Sequence, residues 1–194
     1  MTDPARDNPE PATPIHADLD QRRLDQARLL HARTRTSCLV VECVVLYLAA
    51  LVVLNGDVRF AGLWLACTSS MVAVVYLAAK LLAPDGVTSE NYKRYLTVHT
   101  AISGATGLVW GGLAIAYLDA DNLFNLFIAI NMVFSITVGG MMPSAEYRPT
   151  YVSLATSTLF PFSAYWLLTV EGPLRIIGIG LLIYYAFGLM VSAR

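Results

Sequence analysis

Six long apolar runs, separated by short polar connections, constrain this chain more than any other feature of its sequence. A helix needs about 20 mostly apolar residues to cross a bilayer. Only 14% of the residues are charged, whereas a soluble domain carries about 25%. The pattern predicts an all-α membrane protein, a six-transmembrane-helix bundle over residues 37–194. We place the spans near residues 37–54, 59–82, 94–118, 122–142, 148–170 and 173–193.

The residues ahead of the first run are polar and divide into two parts. Residues 1–16 hold four prolines and few apolar side chains, which predicts a disordered leader. Residues 17–36 carry acidic and arginine side chains at helical spacings, with Leu24, Ala27 and Leu30 near one face. We expect an amphipathic juxtamembrane helix that lies along the cytoplasmic membrane surface and leads into the first span.

The charges at the ends of the runs predict the orientation of the chain. Cytoplasmic connections of membrane proteins are enriched in lysine and arginine, so the arginine-rich segment before the first run should be cytoplasmic. Six crossings then return the C-terminus to the same side. The predicted inner positions hold Lys80, Lys93, Arg94, Arg148 and Arg194, whereas the outer connections hold Arg59 and Arg175 among Asp57, Asp119, Asp121 and Glu171.

The third run is rich in glycine, the worst ordinary helix former in water. Lipid provides no hydrophobic drive for helix association, so close backbone packing has to supply it. Ser103, Gly107 and Gly111 are spaced by four residues and form a continuous stripe of small residues for helix packing. The stripe predicts either a groove for another helix or a sliding or dimerising seam that moves on signalling, and the spacing fits both.

Few ionisable or strongly polar side chains lie inside the predicted spans. Glu42 falls in span 1, His99 in span 3 and Asn131 in span 4. Because such groups are costly in hydrocarbon, they are candidates for function. One hypothesis places all three in a polar pocket between these spans. The other has each satisfied separately, by interfacial water, the arginine segment or a neighbouring helix.

The sequence gives no sign of a catalytic, metal or cofactor site. A membrane b-type haem usually needs two facing histidines, and only His99 lies in a span. Cys38, Cys43 and Cys67 lie in apolar runs without CxxC spacing, so we expect small buried side chains. We therefore expect no cofactor, no metal and no nucleic-acid partner.

The aromatic residues of the spans fall toward the predicted outer ends. Trp64, Trp110, Tyr117, Tyr165 and Trp166 show this placement. Tryptophan and tyrosine are enriched at membrane–water interfaces. We therefore expect an interfacial belt and not a ligand cage.

The order of these features resembles a known class of membrane region. A charged "LDQRRLDQARLLHARTRT" helix enters span 1, and "YKRY" precedes a span containing "SGATGLVWGGLAIAYLD". Further on come "GGMMPSAEYRPTYVS", "LFPFSAYWLL" and a last span that exits through "LMVSAR". Over roughly residues 18–194 the chain resembles the N-terminal multi-span sensor region of bacterial sensor histidine kinases and diguanylate cyclases. In those proteins a "GLxWG" helix and an "LFPF"-like span recur.

The resemblance implies a membrane-embedded signal-input domain in the bacterial inner membrane, with both termini cytoplasmic. The domain would relay a stimulus to an output module, a histidine kinase or a diguanylate cyclase, that is absent from this chain. No catalytic residue carries over, so whether the parent protein is an enzyme stays open. The resemblance also implies a homodimer. Inputs that fit short outer connections are a small amphipathic ligand, the state of the lipid bilayer or a neighbouring membrane protein.

A small multi-pass transporter or channel subunit is the alternative. Such proteins show inverted repeats, broken helices at matched positions and charged residues near the midplane. Residues 37–118 and 122–193 show no evident internal similarity, and charges near the midplane are scarce. These observations favour the signal-input domain.

Overall fold

The computed structural model describes residues 14–119, 121–144 and 147–191, and this part of the chain is all helical. Most of the predicted leader lies outside the described residues, and residues 14–16 belong to the first helix. The helices are α1 (Pro14–Leu54), α2 (Val58–Leu82), α3 (Tyr92–Tyr117), α4 (Leu123–Ser144), α5 (Arg148–Thr169) and α6 (Arg175–Val191), with one 3-10 turn at Gly172–Leu174 ahead of α6.

The helices run up and down, so the bundle has two ends. At the end that we name the arginine end, α1 begins beside the α2–α3 connection, where Arg28 Nε donates to the Val87 carbonyl at 3.2 Å. At the opposite end, which we name the asparagine end, the Asn55 amide donates to the Tyr117 hydroxyl at 2.9 Å and to the Asn125 side chain. Short connections at alternate ends give the bundle its alternating topology.

The first helix is one continuous element of 41 residues, about 60 Å long. The predicted juxtamembrane helix and the predicted first span are its two halves. No glycine or proline falls between residues 15 and 54, so nothing in the sequence breaks the helix. The apolar face at Leu24, Ala27 and Leu30 packs against the α2–α3 connection and the start of α3. Protein, and not the membrane surface, therefore covers this face.

Three of the helices, α1, α2 and α3, are long and apolar enough to cross a membrane. Six clear spans were predicted, and the others fall short for two reasons. The apolar stretches of α4 and α6 are shorter in the described residues, at Leu123–Gly139 and Gly172–Gly188. Hydroxyl side chains lower the hydropathy of α5, although several bond their own helix, as Thr158 does by donating to the Leu154 carbonyl at 2.8 Å.

The outward faces of the bundle are strongly apolar. Leu54, Leu81 and Leu168 are 80%, 81% and 84% exposed, as lipid-facing side chains would be in a bilayer. Large apolar patches of this kind are rare on soluble monomers.

The interior instead holds the indole rings of the chain. Trp64, Trp110 and Trp166 are fully buried, and the rings of Trp64 and Trp110 meet edge to face at 4.8 Å. The expectation of an interfacial belt was therefore wrong for the three tryptophans. Their place in the chain matched a belt, but they point inward.

Two of the three residues of the predicted stripe on α3, Gly107 and Gly111, face α5, whereas Ser103 lines a cavity beside His99. A Cβ atom on Gly107 would lie 2.6 Å from the Leu154 carbonyl oxygen and would overlap the Ser157 hydroxyl. A Cβ atom on Gly111 would lie 3.0 Å from the Thr158 carbonyl oxygen. The backbones of α3 and α5 therefore pack together where Gly107 and Gly111 leave room, and we name this contact the α3–α5 seam.

Proline 161 lies inside α5 next to the same seam. Because proline has no backbone N–H, the carbonyl of Ser157 loses its usual helical donor. That carbonyl lies 3.5 Å from a Cβ atom built on Gly111. The freed oxygen thus faces the bare glycine backbone of α3.

Candidate functional site

The predicted polar site does not form as one pocket, and Glu42 shows why. Glu42 lies on α1 and accepts a hydrogen bond of 2.7 Å from the Ser69 hydroxyl on α2. Around it is an open groove between α1 and α2, which Arg35 and Tyr76 also line. Glu42 thus has a partner on α2, 27 residues away in sequence, and faces neither α3 nor α4.

Asn131 is satisfied by its own helix. Its side-chain amide donates to the Phe127 carbonyl, one turn earlier on α4, at 2.8 Å. A side chain bonded in this way takes part of its hydrogen bonding from its own helix. Asn131 therefore lies apart from Glu42, but its bond is within α4 and is not the bridge to a neighbouring helix that the second hypothesis expected.

His99 is the predicted polar residue that reaches an interior cavity. The cavity is half open, has a volume of about 90 Å³, and lies among α1, α2 and α3, with single residues of α4 and α5 closing it. Cys38 and Val72 line both this cavity and the Glu42 groove, so they separate His99 from Glu42. We name it the His99 cavity; its lining is Leu30, Thr34, Ser37, Cys38, Val41, Val72, Val75, His99, Ser103, Thr106, Ile136 and Leu154.

The polar groups of the His99 cavity gather on two helix faces. Thr34, on α1, and Thr106, on α3, each donate to a carbonyl of their own helix at 2.9 Å. The Ser103 hydroxyl lies 3.5 Å from Nδ1 of His99, at the limit of a hydrogen bond. Within the described chain, nothing hydrogen-bonds to Nε2 of His99. This ring nitrogen is the group best placed to bond to a bound molecule.

The cavity is otherwise apolar, and its lining contains no aspartate, glutamate, lysine or arginine. An uncompensated ion in such surroundings would carry a large desolvation cost. The chemistry of the cavity therefore suits a neutral molecule with one hydrogen-bonding group.

A short chain of rings joins α1 to α3 beside the cavity. The Tyr95 ring is fully buried, with its centroid 5.6 Å from that of His31 and 5.8 Å from that of His99. The Tyr95 hydroxyl and the Thr34 hydroxyl share a bond of 3.4 Å. These contacts hold the middle of α1 against the start of α3.

Charges at the arginine end add a second link between the same two helices. The Lys93 ammonium on α3 lies 3.5 Å from the Asp20 carboxylate on α1. The nearby Tyr92 hydroxyl and Lys93 ammonium lower the pKa of Asp20, and the same hydroxyl and the Asp20 carboxylate raise the pKa of Lys93. Both groups are exposed, so water and salt weaken this link.

The hydroxyl faces of the cavity were missed in the sequence. Thr34, Ser37 and Val41 follow one face of α1, spaced by three and four residues. His99, Ser103 and Thr106 follow one face of α3 at similar spacing. Two polar faces at matching depth in adjacent helices could have indicated a shared cavity. These faces were overlooked because only single ionisable or strongly polar residues were considered as site candidates.

Cysteine packing and metal binding complete the description of the site. The three cysteines are free, and Cys43 is exposed where a buried side chain was expected. No group of three or more histidine, cysteine or acidic side chains in the described residues could hold a metal ion.

Comparison of the chain with protein-family models, curated proteins and solved structures finds no match.

Proposed function

We propose that the chain is a membrane-embedded signal-input domain. It crosses the bacterial inner membrane six times, has both ends in the cytoplasm and acts as a homodimer. It relays a stimulus read within the bilayer to a cytoplasmic output module, a histidine kinase or a diguanylate cyclase, outside this chain.

The observation that carries the proposal is the unbroken α1 beside a half-open cavity. One rigid rod runs from the Asn55 turn to the arginine segment. Any tilt or shift of its apolar half therefore moves its other half as well, at the arginine end. Because α6 also ends there, an output module that follows Arg194 would lie beside the moving half of α1. The His99 cavity leaves space between α1 and α3, so α1 has room for a second packing. Signalling by a shift between two packings needs both features.

The six-span topology is supported by lengths and charges. The 22 residues each of α4 and α5 would cover about 33 Å, enough for a hydrocarbon core of roughly 30 Å. Lys93 and the arginines of the first half of α1 lie at the arginine end, which fits a cytoplasmic end. Asp57, Asp119 and Asp121 lie at the asparagine end, which fits the outer face.

A two-part experiment tests the proposal. Single cysteines replace Thr88 in the α2–α3 connection and Asp121 in the α3–α4 connection of a cysteine-free chain. A membrane-impermeant maleimide added to intact spheroplasts should label the cysteine at 121 and spare the one at 88. Labelling of both, or of position 88 alone, would contradict the orientation.

The second part measures signalling with a diguanylate cyclase module fused after Arg194. The product level should change when α1 packing is altered, for example by Val75→Phe in the His99 cavity, and should stay unchanged in the lipid-facing control Val74→Phe. Equal output from both variants and the parent would count against a signal-input domain. Solute flux through proteoliposomes of the chain alone would then favour the transporter or channel alternative.

A further inference from the structure

We propose that the His99 cavity is a binding site for a small neutral amphipathic molecule, with one hydroxyl or carbonyl head at His99 and Ser103 and an alkyl body extending toward the lipid between α1 and α4. The inference deepens the proposed function, because it names the ligand class and the entry route of the input domain.

The entry route follows from residues that line both the His99 cavity and a groove on the surface of the bundle. Ser37 and Val41 line the His99 cavity and also line a groove between α1 and α4. Gly139 forms the α4 side of that groove. No described atom lies within 4 Å of a Cβ built on Gly139, so the glycine leaves an opening toward the lipid. Val40, Val41 and Gly139 line the part of the groove in which an apolar chain can lie while its head reaches the cavity, and Arg33 and Thr36 line the part nearer the arginine end.

The head group follows from the cavity lining. Nε2 of His99 accepts or donates a hydrogen bond according to the tautomer of the ring, so it can bond to either an alcohol or a carbonyl. Ser103 adds a hydroxyl beside it. An anion or cation would meet no opposite charge among the lining side chains, which selects a neutral head.

The size of the cavity limits what enters. With about 90 Å³, it is smaller than the engineered apolar cavity of about 150 Å³ that binds benzene. Only the head and the first few carbons fit inside. The rest of a longer ligand must lie in the α1–α4 groove. The ligand is therefore an amphipathic molecule with an alkyl chain and not a compact ring.

Cys38 provides a direct probe, because its thiol lies in the cavity wall. A chain that keeps Cys38 but carries Cys43→Ala and Cys67→Ala is placed in nanodiscs and labelled with N-ethylmaleimide. Decanol at increasing mole fraction should slow labelling by about tenfold at saturation, as expected when the ligand covers the thiol in most molecules. The matched control keeps Cys43 and carries Cys38→Ala and Cys67→Ala. Cys43 is exposed on the same helix, so decanol should not change the rate at which it is labelled.

Two variants locate the head and the entry. His99→Leu should weaken the protection by decanol by roughly two- to tenfold, the range for one net hydrogen bond, and decane should protect both chains equally. Gly139→Leu should slow decanol entry, measured as the delay between addition of decanol and protection of Cys38. Gly112→Leu, at another glycine with open space around it, should leave this delay unchanged.

The outcomes separate this inference from the proposed function. Equal slowing of Cys38 and Cys43, or no slowing of either, overturns the site. Protection that His99→Leu leaves unchanged overturns the assigned head group. Protection of Cys38 together with an unchanged cyclase output in the fusion sustains the site and counts against the signalling role. A response of the fusion to membrane conditions, without any protection of Cys38, leaves the signalling role standing and overturns the site.

Discussion

The two faces of α3 are packed in opposite ways. Toward α5, Gly107 and Gly111 bring backbones so close that no Cβ atom fits at Gly107 without a clash. Toward α1 and α2, His99 and Thr106 border a cavity. The helix α3 therefore packs tightly against α5 on one face and borders an open cavity on the other.

The same contrast separates the two halves of the bundle. The asparagine half contains the fully buried Trp64 and Trp110 and the amide cluster around Asn55. The arginine half contains the cavity and an exposed ion pair. Dense packing resists deformation, whereas a cavity removes contacts on one side of its lining. In the proposed function, α3, α4 and α5 form the fixed frame. The helix α1 pivots as a rod about its densely packed asparagine half, where Val45, Leu48 and Val52 are fully buried, so its arginine half moves farthest.

The largest expected effect comes from adding a methyl group to the α3–α5 seam, where no space is left for it. Gly107→Ala places a Cβ atom 2.6 Å from the Leu154 carbonyl oxygen, and the backbone cannot step aside cheaply. We expect the free energy of unfolding in bicelles to fall by about 3 kcal/mol. The control Gly112→Ala meets no atom within 4 Å and should be neutral or stabilising by about 0.5 kcal/mol. Equal effects would mean that the seam is not tightly packed.

A pair of valine-to-phenylalanine changes compares the two halves directly. Val52 is fully buried in the asparagine half, so Val52→Phe should lower the free energy of unfolding by about 2 kcal/mol. Val75 lines the cavity, so Val75→Phe should cost less than about 1 kcal/mol, because the ring enters the cavity and α1 can shift beside it. Thermal unfolding of the two purified variants ranks them, and the reverse order would refute the packing contrast.

The two tryptophans that meet edge to face, Trp64 and Trp110, test the packing of the asparagine half in more detail. Trp64 Nε1 donates to the Val45 carbonyl at 3.1 Å, whereas Trp110 Nε1 has no partner among the described residues. Both changes to phenylalanine remove similar volume, but only Trp64→Phe removes a hydrogen bond. The cost of Trp64→Phe should exceed that of Trp110→Phe by about 1 kcal/mol. Chemical unfolding monitored by circular dichroism measures the difference, and a greater cost for Trp110→Phe would contradict the bond.

The smallest effect is expected at the exposed ion pair. The lowered pKa of Asp20 makes its contribution present above its ordinary pKa near 3.8, and the contribution disappears as the pH falls through the lower folded value. The raised pKa of Lys93 makes its contribution present below 10.5 and lost as the pH rises further. Asp20→Asn should therefore lower the unfolding temperature slightly between these limits, and the effect should shrink as the pH falls below 3.8. Unfolding curves at low and high salt check this, and a larger effect in high salt would be inconsistent with an ion pair.

Helices and their ends could be predicted from the sequence, but the partners of polar side chains could not. Apolar length and the turn residues located the helices of the described chain within a few residues. The continuity of α1 was missed because the change from polar to apolar composition looked like a boundary, although a helix passes through such a change freely. Asn131 looked functional because its bond to Phe127, within one turn of α4, is not visible in the spacing of ionisable residues. Glu42 looked isolated because Ser69 lies on another helix.

The central claim is that α1 moves as a rod against a fixed α3–α5 seam, and spin-label distances test it most directly. In a cysteine-free background, one pair of labels replaces Thr36 on α1 and Thr97 on α3, and a second pair replaces Leu108 on α3 and Phe160 on α5, all exposed positions. Filling the cavity with Val75→Phe should shift the α1–α3 distance by about 2 Å, the scale of known helix shifts, and leave the α3–α5 distance unchanged. An α1–α3 distance that stays constant, or a seam that moves as far as α1 does, would contradict the account.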